Sequence, residues 1–371
     1  MPTFIKAYLG TTPLFTDTSG AELIKNGLGT LTLSAANTYS GGTTINAGTL
    51  NATNSAALGS GNVSVAAGGK LVFGANNLTI ANNITLNGTT TNGAIYSSQP
   101  GAGVTTNLTG QITLNATSNV SSNWNDKTLQ LSGKITGVGG LDFVLHPGQV
   151  GGRYLITGAT NDYAGATSVT GSATAQFGYT GQAMLYLGAT NALPTTTALT
   201  LNYADLYLNG QAQTLASISG SGNFSVQNGS TTAATLTLGS GNTTSTFSGT
   251  IKNNGISVNN AGTFPATVTG TVALTKIGTG TLTLTGNNTY TGATSILGGN
   301  IVVPKTNGSS TGTATFTNTT LSVSFNVAPT IGMTFRFFPG TTTQTYASVT
   351  LVGAPGRTGT YNSANSTLTI A

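Results

Sequence analysis

The sequence predicts an all-β protein built as a solenoid, a chain wound into stacked coils. Only 5% of the residues are charged and 37% are hydrophobic. The remaining polarity comes from Gly, Thr, Ser and Asn, which suit strands and tight turns and are poor helix formers. Short runs of alternating apolar and polar residues recur between Gly/Asn turns, about six to twelve residues apart. One longer phrase is repeated near both ends of the chain.

The repeated phrase is the strongest of these signals. It reads KNGLGTLTLSAANTYSGGTTINAGTL from Lys25 and KIGTGTLTLTGNNTYTGATSILGGNI from Lys276, and the two copies align without a gap. The shared frame is K-x-G-x-G-T-L-T-L, three variable positions, and then N-T-Y-x-G-x-T. Because recurrence of one unit is typical of repeat architectures, it favours a solenoid over a sandwich or a barrel.

Two further copies lie between these. One runs through RYLITGATNDYAGATSV at 153–169, and a looser one through ATLTLGSGNTTSTFSGTI at 234–251. An aromatic residue two positions before a glycine is common to all four copies. We therefore predict nine structural repeat positions, three from each of the closer copies: Asn37, Tyr39, Gly41, Asn161, Tyr163, Gly165, Asn288, Tyr290 and Gly292.

The stretches between the copies alternate with a period of two, as in NVSV at 62–65, KLVF at 70–73 and QITL at 111–114. This period predicts strands with one buried face. Coils of roughly 20–25 residues, stacked about 4.8 Å apart, would place similar residues above one another in ladders. Asn and Thr ladders can satisfy their own hydrogen bonds, whereas ladders of like charge would repel, which accounts for the scarcity of charge.

The two ends of the chain lack the phrase and are predicted to differ from its middle. Residues 1–24 are predicted to be an N-terminal cap or attachment segment, and 25–302 to be the β-helix. Residues 303–371 contain the densest aromatic residues and are predicted to form a C-terminal β cap or an oligomerisation region. Within them, FRFFP at 335–339 fits either a subunit interface or a cap inside one monomer, and both interpretations stay open.

Composition excludes several classes of function. The net charge of +5 is scattered along the chain and forms no basic stripe, so no nucleic-acid partner is expected. The chain has no cysteine, which excludes disulfides and cysteine metal sites. It has no apolar run long enough for a membrane span. VGGLD at 138–142 faintly resembles a calcium-binding repeat but occurs once, so no metal or cofactor is predicted.

Catalytic candidates are few. A polysaccharide-cleaving site needs a pair of carboxylates, and the only acids are Asp17, Glu22, Asp126, Asp142, Asp162 and Asp205. Asp126 and Asp142 form the candidate pair, with Trp124 as a sugar platform. The simpler interpretation is that Asp126 and Lys127 form a solvated loop. His146, the only histidine, precedes a proline and is predicted to be a turn residue and not a catalytic base. No enzyme is predicted.

The repeated phrase also resembles a known family, the autotransporter-associated (passenger-associated transport) repeat. Gly278 to Thr294 follow the family motif Gly-x-Gly-Thr-Leu-Thr-Leu-x-Gly-x-Asn-Thr-Tyr-x-Gly-x-Thr, whereas the first copy has Ala35 where the motif prefers Gly. With its linkers, the resemblance spans about residues 25–302. It implies a right-handed parallel β-helix without catalytic residues, on large surface proteins that are usually bacterial autotransporter passengers.

Two features shift the functional prediction away from that usual context. Residues 1–20 show no basic segment followed by an apolar one, so no secretory signal is expected, and no translocator barrel is recognised. We therefore expect first a non-enzymatic, homotrimeric phage virion component: a tail fibre, spike or capsid decoration. The alternative is a passenger fragment of a bacterial autotransporter adhesin at the cell surface, and a third is a polysaccharide-degrading tailspike. Expected partners are other virion or cell-surface proteins and a surface glycan.

Overall fold

A computed structural model describes residues 20–91, 93–146, 151–176, 179–222, 224–253, 269–307, 310–316, 321–338, 346 and 349–371. Most of the N-terminal segment predicted for residues 1–24 lies outside these ranges. The chain divides into two compact units, and each is described by itself. Unit 1 comprises the chain up to Pro194 with Asn202–Asp205, and unit 2 comprises Thr195–Leu201, Leu206–Ile256 and the chain from Phe264 to its end.

The described residues up to Pro194 form the strands β1 to β19. In chain order they are Leu23–Lys25, Thr30–Leu33, Thr43–Ile45, Gly48–Ala52, Val63–Val65, Gly69–Phe73, Thr79–Ile80, Ile84–Leu86, Ile95–Ser97, Thr105–Leu108, Ile112–Leu114, Ser118–Ser122, Trp124–Leu131, Ile135–Gly137, Leu141–Leu145, Gly151–Ile156, Thr167–Thr170, Ser172–Gln176 and Tyr179–Leu187.

The remaining strands are β20 to β37, of which β20 and β21 fall where the chain contributes residues to both units. In order they are Ala198–Asn202, Ala204–Tyr207, Gln213–Leu215, Ser217–Ser221, Ser225–Gln227, Ala234–Leu238, Ser245–Phe247, Thr250–Lys252, Val272–Lys276, Thr281–Leu284, Thr294–Ile296, Asn300–Asn307, Ser310–Phe316, Leu321–Phe325, Thr334–Arg336, Val349–Val352, Gly359–Asn362 and Thr367–Ile370.

Three parallel sheets form the coils of unit 1. Sheet A has the order β1-β3-β5-β8-β11-β14, sheet B the order β2-β4-β6-β9-β12-β15-β17, and sheet C the order β7-β10-β13-β16-β19. The coils from β5 to β16 add one strand to each sheet in turn, whereas the first two coils contribute to sheets A and B. The neighbour of a strand is the equivalent strand of the next coil. The predicted β-solenoid of stacked parallel sheets is confirmed.

The interior is lined by ladders of like residues. Along sheet B, Leu50 lies opposite Leu71, Leu71 opposite Ile95, and Ile95 opposite Val120, and these side chains are fully buried. The ladders follow from the sequence because a strand with period two sends every second side chain inward. Burying these rows of aliphatic side chains supplies the hydrophobic stabilisation of the fold.

Coil length varies more than the sequence predicts. Leu23 lies opposite Thr43, 20 residues on, within the predicted 20–25. Ile84 lies opposite Ile112, 28 residues on, and Ala234 opposite Val272, 38 residues on. These ladders stay in register because the additional residues lie between strands and not within them. The pairing of β13 with β16 differs, since its register shifts between Trp124 and Thr128.

Unit 2 begins as a parallel solenoid and ends differently. Sheet D has the parallel order β22-β25-β28-β30, and β26, β29 and β31 also pair in parallel. From β31 the pairing changes: β31-β32 and β32-β33 are antiparallel, as are β34-β37 and β36-β37. Among the described residues there is no helix, and hence none with the length and hydropathy to cross a membrane.

Candidate functional site

The most regular polar feature of the molecule is a buried pair of hydroxyl groups at the Asn-x-Tyr corner of each closer copy. In every case the tyrosine Oη lies within hydrogen-bond distance of the threonine Oγ1 four residues later: Tyr39–Thr43 at 2.6 Å, Tyr163–Thr167 at 2.6 Å and Tyr290–Thr294 at 2.7 Å. All six side chains are buried. Each threonine begins a strand at an inward position, and the tyrosine supplies the partner that its buried hydroxyl requires.

The asparagine of each corner ties neighbouring coils together. Asn161 Oδ1 accepts from the backbone N–H of Ile135 at 2.6 Å, and its Nδ2 donates to the carbonyl of Ala192 at 2.7 Å. Asn37 donates in the same way to Ala57 at 2.7 Å, and Asn288 accepts from Ile251 at 2.9 Å. A side-chain amide suits this position because it can donate and accept at once.

The glycine of each corner is required by close approach and not by an unusual backbone angle. A Cβ at Gly41 would lie 2.2 Å from the carbonyl oxygen of Gly20, and one at Gly292 would lie 2.3 Å from that of Val272. At Gly165 the nearest atom would be the backbone nitrogen of Gly140, at 2.3 Å. None of these three glycines has a positive φ. At this corner glycine is therefore needed because two coils touch through their backbones.

Comparison with known proteins identifies the phrase. The family model of the passenger-associated-transport-repeat matches residues 23–52 and 274–303. The predicted resemblance is confirmed at these two places, which we call the transport-repeat segments. Neither a curated protein nor a solved structure shows significant similarity to the chain.

The third corner, at Asn161, lies outside both transport-repeat segments. It nevertheless has the same Tyr–Thr distance and the same glycine contact with the preceding coil. The looser fourth copy keeps only the packing: Phe247 is fully buried edge-on to Phe224, with ring centroids 5.1 Å apart, and has no hydroxyl to pair. The corner therefore also occurs outside the two segments that the family model matches. Those two segments are the fullest copies of the repeated phrase.

Sequence reasoning missed the lysine that opens each transport-repeat segment. Lys276 stands at an inward position of sheet D, between Leu238 and Ile296, and is 1% exposed. Its Nζ donates to the carbonyls of Ile277 at 2.5 Å, Gly278 at 3.2 Å and Gly298 at 3.4 Å. Burial lowers the pKa of this amine from its usual value.

Lys25 repeats that arrangement in unit 1. It is 8% exposed and donates to the carbonyls of Gly27 and Ala47, the equivalents of Gly278 and Gly298. In both segments one ammonium group gathers carbonyls from the Gly-x-Gly turn and from the turn of the next coil. The signal was available in the sequence, because the lysine occupies an apolar position of an alternating strand in both copies.

The electrostatics of the corner exclude proton transfer near neutral pH. Burial raises the pKa of Tyr39 to about 12, an effect that its hydrogen bond with Thr43 partly counteracts. Burial raises the pKa of Tyr163 and Tyr290 as well. A general acid or base works best when its pKa is near the working pH. These hydroxyls remain protonated and serve as structural donors and acceptors.

The structure places the catalytic candidates in separate settings. Asp142, in β15, accepts a hydrogen bond at 2.7 Å from Ser168, which lies in β17 of the next coil. Asp126 is half-buried in β13. His146 stacks on Tyr96, with ring centroids 4.1 Å apart and planes 17° from parallel. Among the described residues, no three His, Asp or Glu side chains converge as they would around a metal ion.

The three phenylalanines of the segment FRFFP are packed inside the chain. Phe335, Phe337 and Phe338 are at most 4% exposed. Phe337 and Phe338 contact Phe316, with ring centroids 5.1 and 4.9 Å away, and Phe335 contacts Phe325 at 5.2 Å. Of the two interpretations left open by the sequence, a cap within one chain already provides burial for these rings.

Proposed function

We propose that this chain is a passenger-like structural protein, a non-enzymatic β-solenoid displayed at a cell surface. The observation that carries the proposal is the match of the passenger-associated-transport-repeat at two places, in a chain whose parallel sheets form a solenoid. The repeat family suggests an extracellular or cell-surface location. The match to this family supports the alternative prediction, an autotransporter passenger, better than the first prediction, a phage virion component.

The absence of catalysis is part of the proposal, and the chemistry of the corner supports it. The repeated polar side chains use their hydrogen-bonding capacity within the fold: Tyr163 bonds Thr167, and Asn161 bonds three backbone groups. Replacing both Asp126 and Asp142 with Asn tests the remaining enzyme hypothesis. We expect no polysaccharide cleavage from the unmodified protein. Cleavage that the double replacement abolishes would reject the non-enzymatic proposal.

Surface labelling of intact cells of the source organism tests the location. An antibody raised against the purified chain should label unpermeabilised cells, and external protease should remove the label. Label found only after permeabilisation would reject surface display. Label on purified phage particles, with capsid and tail genes beside the coding sequence, would restore the virion interpretation.

Oligomerisation is a separate question. The homotrimer expected from the sequence stays a prediction. The phenylalanine rings that the sequence offered for a subunit interface are buried within one chain. Light scattering at micromolar concentration measures the mass directly, and a monomer mass would remove the trimer.

A further inference from the structure

A column of hydroxyl side chains runs up the outer face of sheet A. Successive strands place their central residues directly opposite one another. The neighbours of each central residue point inward, so the central one points away from the core. From β3 to β14 the column is Thr44, Ser64, Thr85, Thr113 and Thr136, all partly exposed.

Unit 2 carries the same feature independently. On sheet D the outward residues in register with Thr214, the centre of β22, all bear a hydroxyl: Thr214, Thr237, Thr275 and Ser295. All four are partly exposed. The outward positions of the two sheets also include residues without a hydroxyl: Ile24, in the first strand of sheet A, and Ala273, opposite Thr235 on sheet D.

The composition of the chain does not explain the two columns, because the other sheets of unit 1 lack them. The equivalent outward column of sheet B passes through Asn51, Val72 and Tyr96, and the last two are nearly buried. That of sheet C passes through Gln130, Leu155 and Tyr186. Thr suits any outward strand position, and five of the six registered outward positions on the sheet of β26, β29, β31, β32, β33 and β35 also bear a hydroxyl. Within unit 1, however, an unbroken run of hydroxyls from β3 to β14 is found on sheet A and not on sheets B and C.

The flanks of the column on sheet A are also neutral and polar. Asn62 and Asn83 stand on one side, and Asn87 and Asn115 on the other, and amide hydrogen bonds link each pair along the stack. Glu22 and Lys134 lie beside the two ends of the column, in line with the flank of Asn62 and Asn83. The face between them therefore offers donors and acceptors without net charge.

Hydroxyls in the middle of the column keep hydrogen-bonding capacity for a ligand, whereas Thr44 donates to Glu22 at 2.8 Å and Thr136 bonds Asp162 at the two ends. Ser64 accepts from Asn87 at 3.4 Å, and Thr113 accepts from Gln111 at 3.2 Å. Because a hydroxyl donates one hydrogen and accepts at two lone pairs, accepting one bond leaves further capacity. One such group is presented per coil, at the strand spacing of about 4.8 Å.

We propose that the hydroxyl column of sheet A binds an extended, neutral polysaccharide lying along the coil axis of unit 1. A neutral face avoids the desolvation cost that a charged one imposes on an uncharged polymer. A ligand with regularly repeating hydroxyl groups can meet several coils at once, so weak bonds add up along the column. The proposal rests on the proposed surface display and names a ligand class for it.

Co-sedimentation with insoluble cellulose, chitin and starch tests this proposal, with an anionic pectate gel as the comparison. We expect the full chain to bind at least one of the neutral polymers, and binding to be unaffected by added salt, because no ion pairs are involved. The double variant Thr85→Val with Thr113→Val removes two hydroxyls at nearly constant volume. We expect it to weaken binding roughly tenfold, the scale of two lost hydrogen bonds.

The matched control is Thr32→Val with Thr170→Val, which removes two outward hydroxyls from sheet B. Circular dichroism should show both double variants folded, and the control should bind as the unmodified chain does. Equal binding by the sheet A variant, or no binding to any neutral polymer, would overturn the proposal. The proposal would also be overturned if the unmodified chain self-associates or inhibits ice recrystallisation and the sheet A variant alone loses that property. Either result would mean that the face binds a different ligand. Surface labelling of cells does not depend on polysaccharide binding. The proposed surface display and the proposed ligand can therefore be rejected independently of each other.

Discussion

The repeat corners and the aromatic cluster around Phe316 both fill the interior of the fold, but they do so with different interactions. At the corner, Tyr163 and Thr167 bury their hydroxyls against each other, and Gly165 lets two backbones touch. In the C-terminal region, Phe316 packs against four aromatic rings, with centroids 4.9 to 6.0 Å away. Polar pairing suits an element that must repeat in register, whereas aromatic packing suits an end that occurs once.

Alkaline pH is predicted to destabilise the corners, and it should act in the same way on the aromatic cluster, where burial raises the pKa of Tyr346. Buried tyrosines have raised pKa values when folded, so between pH 10 and their folded pKa the unfolded chain loses protons that the folded chain keeps. Stability is therefore complete below about pH 10 and falls as pH rises through about 12. Circular dichroism should show unfolding together with the appearance of near-ultraviolet tyrosinate absorbance. Tyrosinate that forms well before unfolding would contradict the assigned burial.

The largest effect of a single substitution is expected in the aromatic cluster. Phe316→Ala removes a fully buried ring and should lower the free energy of unfolding by about 3–5 kcal/mol, measured by urea denaturation. The control is Val352→Ala, which removes a side chain that is 51% exposed and should cost less than about 0.5 kcal/mol. A loss below about 1 kcal/mol for Phe316→Ala would mean that the cluster is not packed as described.

At the corner, the most damaging small change should be Gly165→Ala. Its Cβ would lie 2.3 Å from a backbone nitrogen, so two coils must separate, at a cost of about 1–3 kcal/mol. Gly27→Ala is the matched control, because its Cβ would meet nothing within 4 Å and its φ is not positive. Thermal unfolding should show a lower midpoint temperature for Gly165→Ala and an unchanged midpoint for Gly27→Ala. Equal midpoints would show that close approach is not what requires glycine.

Much of this architecture was predictable, because alternation and recurrence are visible along the chain. The buried leucines of β29 and the three corners follow from the repeated frame. The reason for Gly165 was not predictable, since a contact between coils depends on residues some 25 positions away, at Gly140. The burial of Lys276 could have been predicted from its place in the alternation, but it was missed because an ammonium group is rarely buried. Coil length varied because insertions between strands leave the frame of each copy unchanged.

The buried lysine provides the next test. Lys276→Met keeps the length of the side chain but removes the donor shared by three carbonyls. We expect a loss of about 2 kcal/mol, because unsatisfied buried acceptors outweigh the relief of removing a buried charge. Urea denaturation measures the loss, and Lys134→Met should leave the midpoint nearly unchanged because its ion pair with Asp162 is exposed. A more stable Lys276→Met chain would show that the buried charge is a net cost.

The smallest effect isolates the hydroxyl pair itself. Tyr163→Phe and Thr167→Val each remove one hydroxyl and should each cost about 1 kcal/mol. The double variant should cost less than the sum of the two, because each single change leaves one buried hydroxyl without its partner. The same cycle at Tyr290 and Thr294 should give a similar coupling energy, since that corner has nearly the same Oη–Oγ1 distance. Strict additivity at both corners would mean that the tyrosine contributes only its ring, and the corner would then resemble Phe247 of the fourth copy and the aromatic cluster.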